Sequence, residues 1–501
     1  MKKQQSAVTG RTTTVTWQPN GSALFIGGRW VAPQSGETLT VTSPYTAQPI
    51  ATVPAASTGD MDAAVAAARR AFDGGDWSGT SLDDRMTVLR RLSDLLGERR
   101  DEIASVVTDE MGCPITLSRS MQAAGPKVVL DTFLELAPDY PWVSPREAAT
   151  GRSVVYREPV GVVAAIVPWN APLLISTIKL APALLAGCTV VLKPAPETPL
   201  DAYLLAELLA EAGLPDGVVN VVPADREVSE YLVTHPGVDK VAFTGSTAAG
   251  RRIAALCGHD LKRVTLELGG KSAAVLLDDA DVASAAESLR VGSFRNSGQV
   301  CSLKTRIVVP RSRESEFLEA FGAVVASMPV GDPADPETEI GPLVSARQRD
   351  RVEGYIAAGR DQGARVVLGG GRPDGPGDGW FVEPTVFAGV ERSMTIAQEE
   401  IFGPVVSVLA YDDVEDAVAI ANDSEYGLNG AVFTGDPERG LAVARRIRTG
   451  TVEINGSPVG FHAPIGGFKA SGIGREAGPE GFDAYVEIKS VGLPQAFSPA
   501  G

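Results

Sequence analysis

Cysteine and histidine are scarce in this chain of 501 residues. It has only four cysteines, without any CxxC pair, and three widely separated histidines. This scarcity excludes a disulfide framework and a closely spaced Cys/His zinc motif, so we expect no metal site. Unpaired cysteines also fit a reducing compartment, and we predict a cytoplasmic protein. The four cysteines are Cys113, Cys188, Cys257 and Cys301.

Positive charge is in deficit as well. Lys and Arg number 45 against 62 Asp and Glu, which leaves a formal net charge of -17. This sign opposes the phosphate backbone that dominates nucleic-acid affinity, so we expect no nucleic-acid partner. The length is enough for about three folding units with a substantial core. Gly (54) and Pro (35) are too few for low-complexity disorder, and we expect a globular protein.

Long uninterrupted apolar runs are missing. The first twenty residues carry basic side chains but no apolar segment, so we interpret 1–23 as a disordered leader rather than a secretory signal. The most hydrophobic stretch, 173–192, contains Lys179 and Pro182. These residues favour a buried helix followed by a strand over a membrane span, and we expect no membrane partner.

The chain does contain an alternation of apolar β-rich runs with amphipathic stretches, which is typical of parallel α/β layers. We predict strands at 160–167, 189–192, 240–243 and 264–268, because each is a short apolar run. Between the first two, apolar positions at three- and four-residue intervals predict a helix over 174–185. The alternation then restarts, so the fold class is predicted to be α/β.

Cys301 has the sequence context of a reactive thiol. It lies in Asn-Ser-Gly-Gln-Val-Cys-Ser, a small and polar run before a predicted strand, where the backbone can present a thiol rather than bury it. We interpret the other three cysteines as small core residues. None of His235, His259 and His462 lies in a comparable motif, which disfavours a Cys–His protease.

The candidate partner of this thiol is Glu267, a carboxylate at the end of an apolar predicted strand. Burial there would raise its pKa towards the value that a general base needs at neutral pH. The alternative interpretation is a structural glutamate that accepts hydrogen bonds from loop amides. The residues alone leave both interpretations open.

The dinucleotide fingerprint G-x-G-x-x-G is absent, so an ordinary Rossmann phosphate site is not encoded. In its place, the segment 245–250 (GSTAAG) follows a predicted strand at a helix start, where free backbone N–H groups suit a pyrophosphate. Such a segment is also often only a turn. Lys193 ends another predicted strand, where it could donate to a nucleotide or simply be solvated.

Short motifs in a fixed order connect these observations. They are PWN at 168–170, KP at 193–194, FTGS at 243–246, ELGGK at 267–271, GQVC at 298–301, EIFGP at 400–404 and GGFK at 466–469. With them the chain resembles the NAD(P)-dependent aldehyde dehydrogenase superfamily, over about residues 24 to 493. The resemblance implies oxidation of an aldehyde to the carboxylic acid with NAD or NADP as cofactor.

The resemblance also assigns catalytic roles. Cys301 is similar to the family's nucleophile, and the amide of Asn170 with the backbone N–H of Cys301 to its oxyanion hole. Glu267 resembles the base that activates the deacylating water, and Lys179 a residue that supports the network around this base. Deleting one oxyanion donor in comparable sites costs about 3–4 kcal/mol.

The same resemblance implies a set of cofactor residues. Lys193 is similar to the residue that reaches the adenosine ribose, and Pro196 stands where NAD-preferring members usually have Glu, with Glu197 displaced by one. The choice between NAD and NADP therefore stays open. The implied cofactor-binding residues are Pro168, Trp169, Lys193, Gly245, Ser246, Gly269, Glu400 and Phe402.

The implied substrate pocket is aliphatic. Positions that are often aromatic in family members acting on small aldehydes are Ala171, Ile175 and Ile178 here. We therefore expect a roomy funnel for a medium or bulky apolar aldehyde, with the variable segment 455–465 at its mouth. The implied pocket residues are Ala171, Ile175, Ile178, Val300, Ser302, Val459, Phe461 and Phe468.

By resemblance the architecture has two open parallel-sheet domains, one of them a Rossmann-like cofactor domain, and a small β element for oligomerisation. The implied limits are 24–140 with 158–267 for the cofactor domain, 268–477 for the catalytic domain, and 141–157 with 478–497 for the bridging element. The alternating run at 485–491 is a predicted strand that could pair with another subunit. We expect a homodimer or homotetramer.

Three rival functions remain at this point. A CoA-acylating enzyme would intercept the thioester with a thiol, but the presence of Glu267 argues for water. A non-redox thioesterase or acyltransferase would use Cys301 without a nicotinamide cofactor. A binding protein on an inactive scaffold is disfavoured because Asn170, Glu267 and Cys301 are all present.

Overall fold

The computed structural model describes residues 20–375 and 377–494. The predicted leader up to residue 19, and residues 495–497 of the predicted bridging element, lie outside the described part. Among the described helices, none has the length and apolar character that crossing a bilayer requires.

The strands are numbered in chain order. They are β1 (Leu24–Ile26), β2 (Arg29–Val31), β3 (Thr38–Thr42), β4 (Pro49–Pro54), β5 (Val143–Ala148), β6 (Gly151–Pro159), β7 (Val162–Ile166), β8 (Thr189–Lys193), β9 (Val219–Val221), β10 (Lys240–Thr244), β11 (Arg263–Glu267), β12 (Ser272–Leu276), β13 (Lys304–Pro310), β14 (Arg365–Leu368), β15 (Thr385–Ala388), β16 (Val405–Tyr411), β17 (Tyr426–Gly427), β18 (Gly430–Phe433), β19 (Glu453–Ile454), β20 (Phe468–Lys469), β21 (Gly472–Ile473) and β22 (Val486–Leu493).

The helices are numbered in the same way. They are α1 (Thr58–Asp73), α2 (Leu82–Glu98), α3 (Arg100–Met111), α4 (Ile115–Leu117), α5 (Ala124–Leu136), α6 (Pro172–Ala186), α7 (Leu200–Glu211), α8 (Arg226–Thr234), α9 (Thr247–His259), α10 (Val282–Phe294), α11 (Glu314–Ala326), α12 (Ala346–Asp361), α13 (Thr395–Gln398), α14 (Val414–Asn422), α15 (Pro437–Ala444) and α16 (Glu480–Asp483). A π-helical segment, Ser118–Ala123, joins α4 to α5.

The first large sheet has the strand order β2-β1-β9-β8-β7-β10-β11-β21. Its centre, from β9 to β11, is parallel, and antiparallel strands close both sides. The chain runs outward from β7 through β8 to β9 and then returns to β10 on the other side of β7. The strand order therefore reverses between β7 and β10, and ligands of open α/β sheets bind at the carboxyl ends of strands at such a point.

The second large sheet has the order β14-β15-β16-β13-β12-β18-β19, parallel except for the β14–β15 pair. Strands β5, β6 and β22 form a separate antiparallel sheet with β6 in the middle. The predicted α/β class with two open parallel sheets is confirmed. The division into cofactor, catalytic and bridging units stays a prediction, and β21 of the predicted catalytic segment pairs with β11 in the first sheet.

Helix α6 shows how the sequence builds the region under the cleft. It starts with Pro172, whose missing N–H costs nothing at a first helical position, and ends at Gly187, whose φ of 94° suits a helix terminus. Nearly all of its residues are buried, because it packs against α2, α5 and β8. It therefore carries Lys179 into the interior.

Candidate functional site

A cavity of about 180 Å³ lies at the carboxyl ends of β7, β10 and β11. It faces residues of α12 and of the loops that precede β13 and β16 of the second sheet. It combines apolar rings, glycines, a thiol and charged groups. Its lining residues are Pro168, Trp169, Asn170, Thr244, Gly245, Ser246, Leu268, Gly269, Cys301, Gln348, Arg351, Glu400 and Phe402. A larger depression of about 830 Å³ around Lys262, Arg263 and Glu487 includes none of these.

The loop that carries Cys301 has an unusual backbone. Asn296, Ser297 and Gly298 have φ values of 53°, 55° and 77°, so consecutive residues occupy the left-handed region. At Gly298 a Cβ would stand 2.0 Å from the carbonyl oxygen of Gly403, so only glycine fits there. Such strain persists only where surrounding contacts impose it, and it is common at functional sites.

The thiol of Cys301 is only partly accessible, and it is flanked by charge. Burial raises its pKa to about 12, and the negative charges of Glu400 and Glu267 act in the same direction. The nearby guanidinium of Arg295 lowers the thiol pKa, but less than the carboxylates raise it. The resting side chain is therefore a neutral thiol beside two acids.

Asn170 follows β7 in the loop before α6, and it is buried. Its side-chain Nδ2 donates a hydrogen bond to the backbone oxygen of Gln299, at 2.9 Å. Because Gln299 lies two residues before Cys301, this bond ties the two predicted catalytic loops together. Nδ2 carries two hydrogens, so a second N–H remains for a group in the cavity.

Glu267 ends β11 and is buried, and its Oε1 has no hydrogen-bond partner. Burial raises the pKa of this carboxyl well above its usual range, and the charge of Glu476 adds to this, opposed by Lys179 and Arg475. A Cβ at Gly466 would come within 2.7 Å of Oε1, so the absent side chain leaves room for the carboxyl.

Lys179 meets Glu476 in a buried ion pair, with Nζ 2.5 Å from Oε1. The pair lies within electrostatic reach of Glu267, as the predicted supporting role of Lys179 requires. Glu476 was missed in the sequence, because 297 residues separate it from Lys179 and no local spacing connects them.

Glu400 approaches the first sheet from the second. Its Oε1 accepts a hydrogen bond from the N–H of Gly270 at 2.9 Å, and burial raises its pKa to about 7. A Cβ at Gly269 would stand 2.4 Å from Oε2. Glycine at this position therefore lets a carboxylate reach the cleft floor.

The phosphate-type segment also has the expected form. Ser246 caps α9, with its Oγ accepting from the N–H of Ala249, and α9 begins at the cavity. Thr244 at the end of β10 has a buried Oγ1 without a partner. Lys193 ends β8 but is not part of the cavity lining, and burial lowers its pKa to about 8.

Two comparisons identify the family. The family model described as "Aldehyde dehydrogenase family" matches residues 30–491. The chain is 48% identical over 471 residues to a geranial dehydrogenase of Castellaniella defragrans, covering 94% of this chain and 98% of that protein. The chain belongs to the aldehyde dehydrogenase family. The predicted family is confirmed, and with it the enzyme class of NAD(P)-dependent aldehyde dehydrogenase.

Solved structures agree with this aldehyde dehydrogenase fold. A Mycobacterium tuberculosis aldehyde dehydrogenase complexed with NAD⁺ has a TM-score of 0.94 at 48% identity, covering 95% of this chain and 99% of that one. A mutant of aldehyde dehydrogenase C from Pseudomonas syringae, complexed with NAD⁺ and octanal, has a TM-score of 0.92 at 43% identity, covering 97% and 99%.

The residues of this aldehyde dehydrogenase fit a dinucleotide. The partnerless Thr244 Oγ1 and the start of α9 offer polar contacts, while Trp169 and Phe402 meet edge to face at 5.3 Å. Four lining residues had no predicted role, namely Thr244, Leu268, Gln348 and Arg351, and the last two also lie outside the sequence motifs. Gln348 donates to the backbone oxygen of Phe402, a residue with φ of 61°, and Arg351 to that of Glu400. No local sequence pattern marks a glutamine such as Gln348 that supports a backbone with positive φ, so its role was not predicted.

The enzyme's predicted substrate residues fall in three groups. Ala171 and Ile178 are buried, whereas Ile175, Val300, Ser302 and Phe461 are half-buried. Ile175 and Phe461 pack against the same core, together with the unpredicted Met121 and Ile465. Val459 is 39% exposed. Phe468 is 40% exposed in β20, where the guanidinium of Arg475 covers its ring. None of the eight predicted substrate residues is part of the cavity lining.

Proposed function

We propose that this enzyme oxidises a medium or bulky apolar aldehyde to its carboxylic acid through a covalent thioester on Cys301. The observation that carries the proposal is the meeting of Cys301 and Asn170 in one cleft with Glu400. It is supported by the buried Glu267, whose Oε1 has no hydrogen-bond partner. No other cavity described above contains a nucleophile and an oxyanion donor together.

The cleft would hold NAD(P) by the carboxyl ends of the first sheet. Gly245 and Ser246 would offer backbone N–H groups to the pyrophosphate, Lys193 would reach the adenosine ribose, and Glu400 would bind the nicotinamide ribose. Gly269, Pro168, Trp169 and Phe402 would shape the nicotinamide end. Bound there, NAD(P) supplies the acceptor for the hydride.

Attack begins at the sulfur. Cys301 must lose its proton to become nucleophilic, and the raised pKa of Glu267 makes that carboxylate a stronger proton acceptor than an ordinary one. The thiolate adds to the aldehyde carbon and forms a thiohemiacetal. The free N–H of Asn170 and the backbone N–H of Cys301 stabilise its oxyanion. Loss of hydride then leaves a thioester on Cys301.

Hydrolysis needs an activated water. Once the proton taken from Cys301 has passed to solvent, Glu267 takes a proton from this water, which attacks the thioester. The acid is released, and the leaving thiolate takes up the proton from Glu267. The ion pair of Lys179 with Glu476 tunes the pKa of Glu267, because the charge of Glu476 raises this pKa while that of Lys179 lowers it. We assign Lys179 and Glu476 to the support of the base.

An apolar substrate fits the residues of the funnel. Ile175, Phe461, Met121 and Ile465 pack against the same hydrophobic core as Trp169, and none of them carries a charge. The relatives act on or bind comparable molecules, since one is named for geranial and another is complexed with octanal. We expect kcat/KM to rise from acetaldehyde to a branched C10 aldehyde.

Assembly and location are also proposed. The separate sheet of β5, β6 and β22 ends in exposed strands, which supports a homodimer or homotetramer. Unpaired cysteines support a cytoplasmic protein.

Two variants test the mechanism. Cys301→Ala should abolish turnover with every aldehyde. Glu267→Gln should keep one fast hydride transfer, seen as a burst of absorbance at 340 nm, and slow all later turnovers. Normal cycling of Glu267→Gln would overturn the assignment of the base.

Product analysis separates the rival functions. Formation of acyl-CoA in preference to acid, when CoA is added, would favour the acylating enzyme. A lack of change at 340 nm, with hydrolysis of a thioester, would favour the non-redox thioesterase or acyltransferase.

A further inference from the structure

The π-helical segment Ser118–Ala123 brings a buried amide to the proposed oxyanion hole. π-helical turns are rare and often occur at functional sites. Gln122 in this segment is fully buried, and its Nε2 donates a hydrogen bond to the backbone oxygen of Asn170 at 3.0 Å. The orientation of this amide is unambiguous, because a carbonyl oxygen only accepts.

A second amide reaches the same backbone oxygen from the loop that carries Cys301. Asn296 is also buried, and its Nδ2 donates to the oxygen of Asn170 at 3.1 Å and more weakly to that of Gln299 at 3.5 Å. The carbonyl of Asn170 is therefore held by two side chains from distant segments. Ala171, the residue before α6, forms no side-chain capping hydrogen bond, so a helix cap does not help to hold this loop.

Each of these two side-chain amides also has one oxygen that accepts no hydrogen bond. Gln122 Oε1 and Asn296 Oδ1 are buried and have no hydrogen-bond partner. A buried unsatisfied acceptor costs free energy, and an apolar side chain of equal size would avoid this cost. Stability alone therefore does not explain two such amides around one carbonyl.

We propose that Gln122 and Asn296 are positioning residues that aim the side chain of Asn170 at the reacting oxygen. The inference rests on the proposed role of Asn170 as an oxyanion donor. The two amides hold the backbone carbonyl of Asn170, and the backbone oxygen of Gln299 accepts one of its two Nδ2 hydrogens. The second Nδ2 hydrogen therefore points in one fixed direction. Fixed donors contribute most to oxyanion stabilisation, because they need no reorganisation during the reaction.

The principal test is Gln122→Met, which keeps the volume and removes the donor. We expect single-turnover hydride transfer, followed at 340 nm, to slow on the order of tenfold, since a small misplacement of a reacting group costs up to about a hundredfold. The Kd for NADH, measured by fluorescence, should not change. Asn170→Ala should be slower still, and the double variant should equal Asn170→Ala alone.

Ser118→Ala is the matched control. Ser118 lies in the same π-helical segment and is equally buried, but it bonds to Thr108 and to the oxygen of Cys113 instead of Asn170. Its hydride-transfer rate should stay within about twofold of the parent, which is the scatter expected for a site without a shared partner. An equal loss in Ser118→Ala and Gln122→Met would show a structural role and overturn the proposal.

The remaining outcomes separate the two levels of the argument. If Asn170→Ala slows hydride transfer but Gln122→Met does not, the positioning role is wrong and the proposed function stands. If Asn170→Ala leaves the rate unchanged, the oxyanion role fails and the positioning role with it. Should Gln122→Met not fold, Asn296→Asp decides, because Asp tolerates left-handed φ and removes the second donor. A parent-like rate in Asn296→Asp would then overturn the proposal.

Discussion

At the scale of single residues, the most unusual group outside the cleft is a pair of buried acids. Glu110 accepts hydrogen bonds from the N–H groups of Leu200 and Asp201, whereas both carboxyl oxygens of Asp201 lack partners. Burial raises the pKa of Asp201 to about 8 and that of Glu110 well above its usual range. We therefore expect the folded pair to hold a proton at neutral pH, and we assign the titration at about pH 8 to Asp201.

This pair predicts a loss of stability at high pH. In the folded chain Asp201 keeps a proton that it loses above about pH 4 when the chain is unfolded. The free energy of unfolding therefore falls as pH rises from about 4 through about 8. Asp201→Asn keeps the neutral form, and its Tm should fall less between pH 6 and pH 9 than that of the parent. For a chain of 501 residues, about 1 kcal/mol corresponds to about 1 °C in Tm.

Calorimetry at several pH values checks this prediction. The exposed carboxylate Asp94, changed to Asn, is the control and should follow the parent. Glu110→Gln should lower Tm at every pH, because an amide keeps only one of the two oxygens that accept the N–H groups of Leu200 and Asp201. A parallel pH dependence of Asp201→Asn and the parent would refute the assignment.

The neighbourhood of Lys193 predicts a preference for NAD. Burial lowers the pKa of its amine, and the charges of Glu197 and Asp225 oppose this, so both carboxylates act on the proposed adenosine-ribose site. The additional phosphate of NADP would meet this negative charge. Arg347 partly compensates Glu197, so Asp225 is the better position to change.

Asp225→Ser tests the preference without loss of the helix cap, since Ser also accepts from the N–H of Val228. The ratio of the Kd values for NADPH and NADH should fall by on the order of tenfold, which is about 1.4 kcal/mol. Glu227→Gln, in the same helical turn, is the control. A ratio that stays constant in Asp225→Ser would contradict the prediction.

At the scale of elements, apolar runs predict the parallel strands well. The expected strands at 160–167 and 264–268 correspond to β7 (Val162–Ile166) and β11 (Arg263–Glu267). A strand buried on both faces needs a continuous apolar run, so its sequence signal is local. The π-helical segment and the left-handed Asn296 have no such signal, because contacts with Asn170 hold them from another part of the chain.

The left-handed loop before Cys301 predicts a strong effect of one methyl group. In Gly298→Ala the new Cβ would meet the backbone oxygen of Gly403 at 2.0 Å, and φ of 77° disfavours alanine. The loop must shift, and we expect kcat/KM to fall at least about a hundredfold, since a 1 Å misplacement costs that much.

Gly322→Ala is the control for this element. Gly322 lies within α11, where an added Cβ meets no atom within 4 Å. Alanine there should stabilise the enzyme by about 0.5–1 kcal/mol and leave kcat/KM unchanged. Circular dichroism melting and steady-state rates measure both effects, and a fully active Gly298→Ala would show that the loop is not constrained.

At the scale of the whole molecule, the cleft joins segments that are far apart in sequence. The sequence motifs predict which residues meet there, because Pro168, Gly245, Gly269, Glu400 and Cys301 all line one cavity. They do not predict the ion pair of Lys179 with Glu476 or the amides around Asn170. Those contacts join segments that are distant along the chain, and no local spacing records them.

The edge strand β22 carries the last prediction. Its residues from Glu487 to Gly492 are exposed although the strand pairs with β6, and Ile488 is 64% exposed. An edge strand presents unpaired backbone N–H and C=O groups that favour pairing with another chain, and an identical subunit offers the same edge for a closed symmetric contact. We therefore expect light scattering to give twice or four times the mass of one chain.

The variant Ile488→Lys should weaken this assembly, since a charge on an edge strand opposes edge-to-edge pairing. Its mass should fall towards that of a single chain at micromolar concentration, while Leu441→Lys, on the exposed face of α15, should keep the parental mass. Because association stabilises the folded subunit, loss of the contact should also lower Tm. A parent enzyme that is monomeric at all concentrations would show that β22 is not an interface.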